Sequence, residues 1–138
     1  MAAPHHHEET GDADEKIVSI ASGLISAQIV RGGDPLRAKD AFARGYALGV
    51  CDVLCQAAGI EEEERCLALT MFVLLDVFGE AEGEAFGRML LVEAGHDASL
   101  DGQMAGGRDA VAWLNRKDDR TAPAPRGLAA YLEAGAAA

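Results

Sequence analysis

Basic residues are scarce in this 138-residue chain. Twelve Lys and Arg stand against 23 Asp and Glu, a formal charge of −11 at pH 7. Phosphate backbones and anionic lipid surfaces repel such a charge, and no segment collects enough Lys and Arg to reverse it locally. Nucleic-acid binding and membrane binding are therefore excluded as expectations. Long apolar runs are also missing. The longest, Cys66 to Phe78, is interrupted by Thr70 and Asp76 and falls short of the roughly 20 residues a bilayer requires. No basic, apolar leader opens the chain. Cysteine is limited to three residues, an odd number without disulfide-framework spacing, which points to free thiols in a reducing, cytoplasmic setting. Strand signals are lacking as well: few windows alternate apolar and polar residues, and no Asn-Gly or Asp-Gly pair joins two β-rich runs. No Gly-rich phosphate loop, nucleophile elbow or zinc-knuckle spacing is present.

What remains is rich in Ala (27) and Gly (16), a mixture suited to helices packed closely through small residues. The pattern predicts an all-α fold, a compact bundle of about five helices plus a short C-terminal helix. Residues 1–14 read as a disordered N-terminal segment, 15–133 as the helical domain and 134–138 as a flexible C-terminal tail. The run His5 to His7 reads as either native or a tag remnant.

Helix one is expected from Glu15 to Val30, with Ile17, Ala21, Leu24, Ile25 and Ile29 inward. Asp34-Pro35 opens the second, which stops at Gly59. Its two apolar stripes are Phe42, Tyr46, Gly49, Val50 and Val53, and Leu48, Cys51 and Cys55. A helix with two such faces is sandwiched or lies at a subunit interface, so Leu48, Cys51 and Cys55 are candidate interface residues. The third, Glu61 to Phe78, is apolar around most of its circumference and is expected at the centre. The fourth, Glu82 to Ala94, faces Phe86, Met89 and Leu90 inward. The fifth, Ser99 to Asn115, does so with Leu100, Met104, Gly107, Val111 and Leu114. A loop follows from Arg116 to Arg126, then a short helix at Leu128 to Leu132. The pairs Gly45/Gly49 and Gly83/Gly87 sit one turn apart and read as close-packing positions.

Three constellations could carry chemistry. Cys51 and Cys55 share a helical face, but their Cβ atoms, about 5–6 Å apart, are too distant for an unstrained disulfide. With Cys66 they could serve metal or redox chemistry, though buried free Cys more simply acts as a small hydrophobe. Glu93-x-x-His96 matches half the ligand set of a carboxylate-bridged di-iron bundle, and a second copy of the chain would have to supply the other half. Gly95 threatens that spacing. Asp76, set among Leu69, Phe72, Leu75 and Val77, and Gln28, on the inner face of the first helix, are candidate buried polar groups that need partners. No cofactor is predicted. The leading expectation is a non-catalytic interaction or regulatory module acting as a homodimer and binding a basic protein partner. The alternatives are a metal- or thiol-dependent enzyme or carrier built on Glu93/His96 or Cys51/Cys55/Cys66, and a binder of a small apolar ligand.

Overall fold

The computed structural model describes residues 3–32, 39–116 and 124–137, with side chains from 12 to 134 within those ranges. Six helices follow in order: α1 (Ala3–Gly32), α2 (Ala41–Ala57), α3 (Glu63–Phe78), α4 (Glu80–Glu93), α5 (Asp97–Arg116) and α6 (Gly127–Ala137). The fold is all-α, and the described residues include no strand. The side chains of His5 to His7, the Asp34-Pro35 pair and most of the Arg116 to Arg126 loop lie outside the described residues.

Local chemistry sets the helix ends. Asp40, rather than the expected Asp34, caps α2: its carboxylate accepts from the Ala43 N–H at 3.1 Å. At the other end Gly59 takes φ +78°, which lets the chain reverse without a Cβ clash. The Ile60 N–H then reaches back to the Cys55 carbonyl (2.9 Å) and the Gly59 N–H to that of Gln56 (3.1 Å). This Schellman closure turns Ile60 into the core. Gly79, at φ +89°, is the single residue between α3 and α4. Helix α1 begins at Ala3 rather than Glu15, and Asp14 forms an ion pair with Arg65 of α3 at 2.6 Å.

The sequence places α3 at the centre, but the structure places α2 there. Helix α2 touches α1, α3, α4 and α5 and is buried along most of its length. Most of both apolar stripes is consumed inside the chain, with Phe42, Leu48 and Val53 left partly exposed. Cys51 and Cys55 are 0% and 1% exposed, so neither can meet a second subunit, and of the three interface candidates only Leu48 keeps partial exposure. The surplus apolar surface that suggested an interface on α2 is its sandwiched position.

Helices α2 and α5 run parallel and nearly in backbone contact. A Cβ at Gly45 would lie 2.2 Å from the Ser99 carbonyl oxygen, and one at Gly49 2.1 Å from that of Gln103. From the other side, a Cβ at Gly102 would lie 2.0 Å from the Phe42 oxygen, and one at Gly106 2.2 Å from the Tyr46 oxygen. Two Gly-x-x-x-Gly rows therefore face each other, a geometry that removes every side chain from between the axes. Gly83 brings α4 onto the backbone of α3 at Leu74 and Leu75, whereas Gly87 makes room for the Met71 side chain.

This contact overturns the expected inner face of α5. Ser99, Gly102, Ala105, Gly106 and Ala110 are buried, whereas Leu100, Met104 and Val111 are exposed. Close backbone approach selects the smallest residues, not the most apolar ones, and the larger side chains turn outward. Met89 of α4 likewise faces out, while Leu90 is buried and Phe86 packs edge-on against Phe78.

Candidate functional site

Gln28 organises the polar interior. Its side-chain amide donates to the Tyr46 hydroxyl at 2.7 Å, and its carbonyl oxygen accepts from the Leu128 and Ala129 N–H groups at 2.9 and 3.0 Å. Tyr46 donates to Asp109, which also accepts from the Gly127 N–H at 2.8 Å. Three orphan donors at the start of α6 are thus satisfied by Gln28 and Asp109. Burial, then the bond to Asp109, raises the Tyr46 phenol well above its ordinary value. Gln28 is a buried polar group, as expected, and its polar atoms are all committed to the fold. Asp76 is not one. It is exposed, on the outer side of α3, because the helix turns its acid to solvent where the sequence suggests burial.

Glu93 and His96 are not brought together. Helix α4 ends at Glu93, and the chain turns before His96, which is exposed. The Glu93 carboxylate accepts from both Nε and an Nη of Arg44, an almost fully buried guanidinium that also donates to the Lys39 carbonyl. A bidentate pair of this kind occupies the oxygens a metal would need. Among the described residues, no three His, Cys, Asp or Glu side chains are grouped to hold a metal ion.

The thiols do converge, across α2 and α3. Cys55 and Cys66 are close enough to perturb each other, and the Thr70 hydroxyl beside them donates to the Cys66 carbonyl at 2.9 Å. All three are buried. Burial pushes Cys51 and Cys66 up to about 12 and raises Cys55. The nucleophilic thiolate is therefore suppressed at neutral pH. Because the ordinary value is 9.0, the unfolded chain releases these protons before the native chain does. The resulting stability is fully present below pH 9 and is lost as pH rises toward 12. Urea midpoints measured from pH 7 to 11 should hold steady to about pH 9 and then fall, and a Cys51→Ala/Cys66→Ala variant should show a shallower decline.

Two surface features stand beside this core. The first is a groove between α2, α3 and α5. Its apolar lining comes from Leu48, Val53, Ile60 and Leu67, its wall from Gln103 and Gly107, and its rim from Asp52, Glu61, Glu62 and Glu63. Among the described residues, none of those four carboxylates has a cationic side chain within ion-pair distance. Arg65, their neighbour, is turned to Asp14. The second is the outer face of α1 with the surface of α3 next to it. The acidic run was visible in the sequence. Its pairing with an apolar floor was not, since that depends on the Schellman turn at Gly59 and the approach of α5.

Compared with protein-family models, curated proteins and solved structures, the chain matches none.

Proposed function

We propose that this chain is a non-catalytic interaction module that receives a basic, amphipathic segment of a protein partner in the groove between α2, α3 and α5. The carrying observation is the coincidence of an apolar floor and an acidic rim whose carboxylates, among the described residues, form no ion pair. The N-terminal dipole of α3 offsets only about half an elementary charge, far less than the rim carries. Desolvating the floor favours apolar side chains, while the rim steers and orients cations. Beyond the groove, Leu100, Met104 and Val111 of α5 remain exposed and extend the apolar surface a docked helix could cover. The internal polar groups support the same reading, since Gln28, Tyr46, Asp109, Arg44 and Glu93 are all spent on joining helices. No described helix is long and apolar enough to cross a membrane.

The test uses a synthetic Leu/Lys amphipathic helix of about 18 residues, with a Leu/Glu version of the same pattern as control. Amide shift perturbations should centre on Leu48, Val53, Ile60, Leu67 and Gly107, with the Leu/Glu peptide silent. The triple reversal Glu61→Lys/Glu62→Lys/Glu63→Lys should weaken binding about tenfold or more at low salt, because like charges then face each other. Perturbations lying elsewhere, or binding indifferent to the reversal, would overturn the reading.

A further inference from the structure

The face of α1 turned away from the core is built for close contact with another helix. Ser19, Gly23, Ser26 and Ala27 are exposed and small, and Val30 beside them is 82% exposed. This strip lies between two grooves. One is shared with α3 and includes Phe72, itself 56% exposed; the other is shared with Trp113 and Pro125. A Cβ built at Gly23 meets nothing within 4 Å, so no packing inside the chain requires this glycine. The contrast with Gly45, Gly49, Gly102 and Gly106, where the neighbouring backbone fills the space, is direct.

A second observation lies beside the same strip. Ser22 lines the groove shared with α3 and is 7% exposed. Its hydroxyl is the one buried side-chain polar atom among the described residues that lacks a hydrogen-bond partner. Such a group is costly to leave unpaired. Rotation of the Ser22 side chain into the groove would let a main-chain carbonyl of a helix lying close against α1 supply the acceptor, as at small-residue helix crossings.

The charges select the occupant. Glu15 and Arg31, both exposed, continue the four-residue row Glu15, Ser19, Gly23, Ala27 and Arg31, each eight positions from Gly23. Turned antiparallel about Gly23, the row complements itself. Ser19 meets Ala27 of the other copy, and Glu15 meets its Arg31, twice over by symmetry. We infer that a second copy of this chain docks on the outer face of α1, antiparallel and centred on Gly23, independently of the groove between α2, α3 and α5. Small side chains let the two backbones approach, and Phe72 and Val30 flank the contact. This replaces α2 as the self-association surface.

Sedimentation equilibrium of the full chain tests the assignment. The wild-type protein should dimerise. Gly23→Leu should be monomeric, with an unchanged helical circular dichroism spectrum and a melting temperature of its monomer no lower than wild type, since the added side chain enters open space. It should still bind the Leu/Lys peptide. Glu15→Arg and Arg31→Glu should each weaken dimerisation about tenfold, because each places like charges at both ends of the contact. The double variant Glu15→Arg/Arg31→Glu should restore it. A wild-type chain that stays monomeric at every concentration, a Gly23→Leu chain that dimerises like wild type, or a double variant no better than the singles would overturn the inference.

Discussion

Gly102→Ala should lose about 3 kcal/mol of unfolding free energy, although alanine is the better helix former by about 1 kcal/mol. The added Cβ would lie 2.0 Å from the Phe42 carbonyl oxygen and 2.8 Å from the Tyr46 nitrogen. Neither atom can rotate aside, because both belong to the backbone of α2. The helices must separate instead, and separation opens gaps along the whole crossing. Gly49→Ala meets the Gln103 carbonyl at 2.1 Å and should behave alike. The two sites share one interface, so their effects should not add simply. The pair should nevertheless bring a domain of ordinary stability, about 5–15 kcal/mol, near its unfolding threshold. Urea denaturation followed by circular dichroism measures this, with Gly23→Ala, compared at concentrations where the chain is monomeric, as the control that should gain stability. A Gly102→Ala protein as stable as wild type would rule out the parallel α2–α5 crossing.

Arg44→Ala should cost about 3–5 kcal/mol, since it strands a carboxylate that the fold has removed from water. The Arg44 and Glu93 side chains are 6% and 12% exposed. The guanidinium also packs 5.5 Å from the centre of the Phe86 ring, so truncation removes packing as well as charge. Replacing both members by apolar residues of similar size, as in Arg44→Met/Glu93→Leu, should recover most of the loss, because the desolvation penalty vanishes with the charges. Thermal melts of the singles and the double variant, analysed as a double-mutant cycle, check the sign and size of the coupling. If Arg44→Ala alone melted like wild type, the pair would hold nothing together. The same pair explains why the Glu93-x-x-His96 spacing does not become a metal site: one carboxylate is claimed by α2, and the other group lies past the helix end.

Composition and periodicity carried the helical class, the number of principal helices and the stop at Gly59. These depend on interactions within a few residues: capping, left-handed glycine conformations and i to i+4 spacing. Gln28 was readable too, because a polar residue on an apolar face needs partners wherever it lands. Its actual partners, at positions 46, 128 and 129, are far away in the chain and could not be named in advance. The thiols were readable only as a shared face at Cys51 and Cys55. That Cys66 joins them follows from how α3 lies on α2.

The errors about which faces pack inward have one cause. Reading an amphipathic helix assumes that the largest apolar side chains face inward. Helix α5 breaks that rule: Leu100, Met104 and Val111 are outside and Gly102 and Gly106 inside, since van der Waals contact between two backbones needs the space that side chains would occupy. Of the two explanations for the surplus on α2, sandwiching accounts for it, as a helix touching four others buries most of both stripes without a partner molecule. Sequence alone therefore determined that this protein is helical, acidic and rich in close-packing positions, because those properties are local or additive. Tertiary structure decided which glycines are filled by a neighbour and which are left open, which acids are paired, and which apolar residues meet water. Each of those depends on distances between segments far apart in the chain.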